Sequence, residues 1–276
     1  MILQQYNREG NPFFFHHSLS QIPAEGLVIG PESHSQYELL YLIRGNLTYY
    51  IEDRAYAVAP GDMILIAPNG IHNLRITPGD AYERMVLHFN LDLIRKAFRE
   101  LQLECGDFAW VHRFPVIPAP LGNEFGLPAL LRELMTGEQK DSYLGLYTAA
   151  KTLELLIQLD KLFSHRGQRL PDPVSVDPLI QSAVRFINTH LTEPFSLDTM
   201  AQALFVSKST LCHRFRQTMN ITPNRYMAVK KIHLADELIR KGMPAADACQ
   251  QVGYASYTTF YYNYRQLMGC NPSQGK

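Results

Sequence analysis

From residue 13 to residue 90 the apolar positions come in short runs. Leu39–Ile43, Leu47–Ile51 and Met63–Ala67 are rich in Leu, Ile and Tyr. They are separated by Arg44-Gly45-Asn46, Pro60-Gly61-Asp62, Pro68-Asn69-Gly70 and Pro78-Gly79-Asp80. Such runs at roughly ten-residue spacing, broken by turn formers, predict the strands of a sandwich or small barrel. The period then changes. Leu91, Ile94, Phe98 and Leu101 share one helical face, which predicts a helix over 91–101. Residues 102–125 contain Pro115, Pro118 and Pro120 and are expected to be irregular. Two longer amphipathic stretches follow, at 126–138 and 141–163. In the second, Leu144, Tyr147, Thr148, Lys151, Leu155 and Leu159 keep helical spacing. Such a pair either covers the open face of a barrel or pairs with the same helices of a second chain, and both arrangements fit the pattern.

The polar, proline-bearing segment that ends at Val176 has no apolar period. It divides the chain into a domain at 1–165, a linker at 166–176 and a domain at 177–276. The last domain reads as helical throughout. Asp177-Pro178 is a cap followed by proline at the first helical position. Ser196 caps a helix at Leu197–Leu204, and Ser207 caps another at Lys208–Met219. Thr222-Pro223 opens a longer helix to about Arg240, a short one spans 244–251, and Ser256 caps the last at Tyr257–Met268. Short helix, turn and capped longer helix therefore occur twice, which is the helix-turn-helix arrangement. The helix between the two units has ~18 residues and spans about 27 Å. That length suits two recognition helices placed near the ~34 Å separation of successive major grooves.

Charge sharpens this division. The chain has no net charge, yet residues 1–176 carry 15 basic and 20 acidic side chains, and residues 177–276 carry 11 and 6. A basic C-terminal third suits a polyanion. The four cysteines lie far apart with no CxxC pair, which excludes a disulfide framework and fits a reducing cytoplasm. No apolar run is long enough to span a membrane, and the N-terminus has no secretory pattern. No phosphate-binding loop and no GxSxG nucleophile motif appears.

The segment LDTMAQALFVSKSTLCHRFRQTMNITPNRYM, then KIHLADELI and QQVGYASYTTFYYNYRQLMGCNP, resembles the AraC/XylS family of bacterial transcription regulators over about 100 residues. The match includes Ala201, Val206-Ser207, Leu211 and Phe215, then Thr222-Pro223 and Tyr226, then Val252-Gly253-Tyr254, Phe260, Tyr264, Gly269 and Pro272. The resemblance implies that Ser209, Cys212 and His213 read base edges in the first unit, with Lys208 and Arg216 on phosphates. In the second unit it implies Tyr257, Thr258, Tyr261 and Tyr262 as readers, with Arg265 on phosphate. Three positions depart from the family pattern. Phe205 stands where glycine is frequent, so a different turn geometry is expected, because a bulky residue at positive φ is strained. His213 and Tyr262 stand where Arg is common. Neither can make the two-bonded fork to guanine, which weakens readout or tilts it toward thymine methyl groups. The tail GCNPSQGK lacks the usual Tyr-Arg after the proline.

Glu32-x-His34-x3-Glu38-x6-Gly45, followed by Pro60-Gly61-Asp62 and Pro68-Asn69-Gly70-Ile71-His72, resembles the two motifs of a cupin barrel. Metal-binding cupins have His where Glu32 stands. Two imidazoles with carboxylates could hold a divalent metal, but the family resemblance implies a small-molecule pocket without one. Glu32, His34, Glu38 and His72 are accordingly the candidate effector residues, and no metal, cofactor or catalytic residue is expected. Arg44, Tyr49 and His88 are further candidates for the cavity. Trp110, the sole tryptophan, could stack on a sugar or simply be core. The expected fold is multidomain α+β: a cupin-like β-barrel with flanking helices, then an all-α domain with two helix-turn-helix units. The expected function is a cytoplasmic, sequence-specific regulator that binds double-stranded DNA under a small-molecule effector, a sugar being the class the family suggests. A homodimeric state and contact with RNA polymerase are further expectations. The alternatives are a metal-dependent cupin enzyme carrying a DNA-binding domain and an architectural DNA binder without effector.

Overall fold

The computed structural model describes residues 1–6, 13–78, 81–100, 102, 116–136, 143–164, 171–174, 176–193 and 196–274. Leu101, Trp110 and much of the expected linker (166–170 and Ser175) lie outside the described residues. The chain divides into two compact units, one of Met1–Ile51 with Ala55–Val174 and a second that takes in Ser175–Lys276.

The first unit holds two antiparallel sheets. The six-stranded sheet has the order β1-β2-β9-β4-β7-β10 and the four-stranded sheet the order β3-β8-β5-β6. The strands are β1 (Ile2–Tyr6), β2 (Phe13–Gln21), β3 (Leu27–Glu32), β4 (Tyr37–Arg44), β5 (Leu47–Ile51), β6 (Arg54–Val58), β7 (Met63–Ile66), β8 (His72–Ile76), β9 (Ala81–Phe89) and β10 (Val116–Ile117). Among the described residues no ladder joins one sheet to the other. The expected barrel is thus an open pair of sheets. Its closing edges are β1, β10, β3 and β6, and β10 offers only two residues to pair.

Successive strand residues face opposite sides, and β4, β7, β9 and β10 of the large sheet each feed two cores. On β4, Leu39 and Tyr41 join one core and Leu40 and Leu42 the other; on β9, Met85, Leu87 and Phe89 join the first and Tyr82 and Val86 the second. The first core is closed by α1 (Leu91–Glu100), α3 (Leu127–Thr136) and α4 (Leu144–Ser164). Leu127, Leu131, Leu155, Leu159 and Leu162 are buried there, each contributing roughly 1.5–3 kcal/mol. The helix pair therefore covers a sheet of its own chain. The second core lies between the sheets, where Leu47, Tyr49, Tyr56, Leu74 and Ile76 of the small sheet meet Leu40, Leu42, Ile64 and Val86 of the large one.

Residues 116–124, expected to be irregular, form β10 and α2 (Ala119–Glu124). The prolines that hid them sit where proline is harmless. Pro118 is the helix cap and a second proline lies in the first turn, where no backbone N–H is needed.

The second unit contains α5 (Pro178–Thr189), α6 (Leu197–Ala203), α7 (Lys208–Met219), α8 (Pro223–Arg240), α9 (Ala245–Gln251) and α10 (Tyr257–Met268). All four side-chain caps read from the sequence at α5, α6, α7 and α10 form: Asp177, Ser196, Ser207 and Ser256 each accept a backbone N–H of the first turn. Ile232, Ala235, Ile239, Ala248, Val252, Phe260 and Tyr264 form the core of the second half. Within it the buried Asp236 carboxylate accepts the Tyr264 hydroxyl at 2.5 Å and pairs with Arg240.

Candidate functional site

The two helix-turn-helix units are built alike. The longer helix has 12 residues in each, begins after a serine cap and ends on a left-handed residue, Asn220 at φ 54° or Gly269 at φ 69°. Counting from the cap, the fourth and eighth residues are Leu211 and Phe215 in α7, Phe260 and Tyr264 in α10. All four are completely buried. They fix each helix on its partner and turn the opposite face outward. That outward face carries residues one, two, five, six and nine: Lys208, Ser209, Cys212, His213 and Arg216 in α7, and Tyr257, Thr258, Tyr261, Tyr262 and Arg265 in α10. Eight of these ten are exposed, and Cys212 and Tyr261 are half-buried. Two already have partners. Lys208 pairs with Asp198 at 2.9 Å, and the Tyr261 hydroxyl donates to Asn271 at 2.8 Å.

The turns are also alike, which corrects the expectation at Phe205. Phe205 adopts φ 56° and Gly253 φ 69°. Phe205 N–H bonds to Gln202 and Val206 N–H to Ala201; Gly253 N–H bonds to Gln250 and Tyr254 N–H to Cys249. The same pair of bonds closes both helices in the left-handed capping pattern. Phe205 takes this geometry because its side chain points away from everything, 96% exposed. It meets only the intrinsic left-handed penalty of roughly 1–2 kcal/mol. At Gly253 a Cβ would stand 2.9 Å from the Thr192 carbonyl oxygen, so only glycine fits.

Between the two sheets of the first unit lies a polar cluster. Glu38 on β4 and His88 on β9 stand side by side in register and face inward from the large sheet. Tyr49 on β5 and His72 on β8 come from the small sheet, and His34 from the connection between β3 and β4. His34 Nε2 lies 3.0 Å and His88 Nε2 3.7 Å from Glu38 Oε2. The Tyr49 hydroxyl donates to Glu38 Oε1 at 3.4 Å. The His34 ring meets the His72 and His88 rings edge-on, with centroids 5.1 and 4.9 Å apart. Burial alone would raise the Glu38 carboxyl pKa. The His34 hydrogen bond and the surrounding imidazoles outweigh it, so Glu38 is held well below the usual carboxylate range. For His34 burial pulls down, but Glu38 wins and the ring is raised. Burial pushes His88 down to about 4, with Glu38 offsetting only part of it.

Family models match both units: an AraC-like ligand binding domain at residues 22–121 and a helix-turn-helix domain at 200–275. Together they take in more than half of the chain. The chain belongs to the AraC family of transcription regulators. It is 24% identical over 230 residues to the HTH-type transcriptional regulator YbfI of Bacillus subtilis (strain 168), covering 80% of this chain and 78% of that one. To the HTH-type transcriptional activator RhaR of Shigella dysenteriae it is 24% identical over 257 residues, covering 90% and 86%. An AraC-like transcription regulator of Streptomyces antibioticus is 29% identical over 171 residues, 57% of this chain and 54% of its own. This AraC-family regulator thus joins a DNA-binding helix-turn-helix domain to a domain that binds a small-molecule ligand. Among its described residues no helix is long and apolar enough to cross a membrane.

Of the four effector residues read from the sequence, His34, Glu38 and His72 come together, while Glu32 stands at the rim. The Glu32 side chain is 58% exposed, with its carboxylate 4.0 Å from His72 Nε2. Tyr49 and His88 also face this cluster. Arg44 does not: its side chain is 64% exposed and lies 3.8 Å from Glu83. Sequence reasoning missed a second group on the same inward face, His16 and Ser18 on β2 and Tyr82 and Arg84 on β9. His16 Nδ1, Ser18 Oγ, Tyr82 Oη and Arg84 Nη1 are buried without a hydrogen-bond partner, as is His72 Nε2. The signal that could have found them is parity, since 82, 84, 86 and 88 alternate with the apolar 85, 87 and 89 along β9.

Proposed function

We propose that this regulator senses a polyhydroxylated metabolite of the carbohydrate class in the space between the sheets. Glu38, His34 and His72 are its principal contacts, and Glu32 closes the rim. The observation that carries this reading is the buried, ionised Glu38 among three imidazoles and a phenol, next to buried donors and acceptors that lack partners. Each unsatisfied buried polar group costs roughly 1–3 kcal/mol, which water or ligand hydroxyls would recover. A carboxylate accepts hydroxyl protons, and imidazole both donates and accepts, so the set suits an uncharged polyol. Ligand occupancy would shift the DNA-binding state only as far as the two states differ in affinity for it.

On the DNA side, Ser209, Cys212, His213, Tyr257, Thr258, Tyr261 and Tyr262 are the proposed base readers, and Lys208, Arg216 and Arg265 the phosphate contacts. The Asp198 pair does not stand against this role for Lys208, since an exposed ion pair is worth only ~0–1 kcal/mol. The chain is proposed to act in the cytoplasm as a homodimer that contacts RNA polymerase, without catalytic activity. Exposed Leu146 and Ile157, three turns apart on α4, support the dimer.

Thermal-shift screening of the full chain against monosaccharides, sugar alcohols and sugar acids tests the pocket. A ligand at about 100 times its Kd should stabilise by about 2.7 kcal/mol. His34→Ala and His72→Ala should abolish that shift and leave DNA binding unchanged. A shift that survives both substitutions places the ligand elsewhere.

A further inference from the structure

The polar cluster between the sheets has the geometry of a metal centre. Nε2 of His34, a carboxylate oxygen of Glu38 and a ring nitrogen of His88 all lie within 4.8 Å of one another. Adjacent donors held 2.0–2.2 Å from one ion in tetrahedral or octahedral array stand roughly 2.8–3.6 Å apart. Of the distances from Glu38 Oε2 to the His34 and His88 nitrogens, 3.0 Å falls within that span and 3.7 Å just beyond its upper end, so the His88 ring needs only a small shift to join the set. The outer shell is also in place. His34 Nδ1 donates to the Gln36 carbonyl at 2.8 Å and His72 Nδ1 to the Gly70 carbonyl at 2.9 Å. A ring nitrogen facing a carbonyl oxygen must carry the hydrogen, which directs Nε2 inward as the donor atom and fixes the ring plane. A second and independent sign is His72, whose side chain is 2% exposed and whose Nε2 has no hydrogen-bond partner, the nearest carboxylate, Glu32, standing 4.0 Å away.

We propose that His34, Glu38 and His88 bind one divalent first-row transition ion, and that His72 Nε2 accepts a hydrogen bond from an oxygen bound to that ion. Two imidazoles and one carboxylate suit zinc, cobalt, nickel or iron and leave coordination positions open. The oxygen is a water or, building on the pocket proposed above, a hydroxyl of the effector. The ion then orients the effector, and His72 selects a ligand atom that carries a proton. This set differs from the one the sequence motif suggested, because His88 supplies the ligand that Glu32 at the exposed rim does not.

The test uses the full chain, stripped with a chelator and then dialysed against Zn2+ or Co2+. The expected result is one retained ion per chain, and with Co2+ a d–d absorption band distinct from that of the hydrated ion. His34→Ala and His88→Ala should each lower affinity more than ~100-fold, beyond the ~10–100-fold that loss of an outer-shell partner costs. His17→Ala, which removes the ring paired with Glu83 at 2.9 Å, should change nothing. Far-UV circular dichroism separates loss of the ion from loss of the fold, and the cobalt band of the unsubstituted chain needs no variant. No retained ion, or an ion retained equally by the His34→Ala/His88→Ala double variant, overturns the metal centre. A sugar-induced thermal shift in the metal-free chain with no ion retained overturns the ion and keeps the pocket. An ion retained as described with no shift from any sugar keeps the ion and overturns the carbohydrate reading.

Discussion

The two helix-turn-helix units share one scaffold and differ in what they expose. Buried positions correspond in kind, Leu211 with Phe260 and Phe215 with Tyr264, because each fills the crossing between two helices, Tyr264 also donating its hydroxyl to Asp236. The turn residues differ for a reason outside the motif. Gly253 faces the Thr192 carbonyl, while Phe205 faces solvent. The outward stripes differ most. In α7 it offers lysine, imidazole, thiol and guanidinium; in α10 it offers three tyrosines and one guanidinium. Packing sets the geometry with which each helix is presented, and the stripe alone sets what it can read. On the proposed contacts, α7 would approach DNA through charge and imidazole hydrogen bonds, α10 through phenol hydroxyls and ring faces.

The largest expected effects test the shared scaffold. Phe215→Ala and Phe260→Ala should each cost ~3–5 kcal/mol in denaturant unfolding. A cost below 1 kcal/mol at either site would show that its unit is not anchored as described. The next tests the stripes. His213→Arg restores a side chain able to fork to guanine, and should gain about 1–3 kcal/mol of preference for guanine at one base pair. An unchanged preference would remove position 213 from the base edges. The turns come third. Gly253→Ala should destabilise by more than about 1 kcal/mol. Phe205→Gly should leave stability unchanged or raise it by up to about 1 kcal/mol, relieving the left-handed penalty against glycine's entropy cost. Equal costs at both turns would mean that their surroundings do not matter. The smallest effect joins the two units. Arg216→Ala and Arg265→Ala should weaken binding to all duplexes alike and each flatten the salt dependence by about one unit of slope. Altered base preference in either variant would reassign it from phosphate to base.

The sequence revealed the C-terminal unit almost completely, because caps and helical periodicity are local signals: each serine that reads as a cap is one. Where local signals misled, a neighbour decided. Pro118 and Pro120 read as helix breakers but sit at a helix start. Phe205 read as incompatible with the turn but projects into solvent. In the N-terminal unit the strands were legible from their turns, while the pairing that leaves two separate sheets was not, since register between distant strands is non-local. The pocket was legible only along one strand at a time. His34, Glu38 and His72 stood out by spacing. His88, named from the sequence without a partner, meets Glu38, 50 residues away, through the β4–β9 ladder; parity along β9 points to Arg84, and the β2–β9 ladder brings in His16 and Ser18.

Selection of binding sites from a random duplex library by the full chain, followed by hydroxyl-radical footprinting, addresses the two recognition helices most directly. Two enriched sequence blocks are expected on one face of the duplex, separated by one helical turn of about 10–10.5 base pairs. His213→Ala should alter one block only and Tyr262→Ala the other only. A single block, or a change in the same block from both substitutions, would contradict two helices of one chain reading successive grooves.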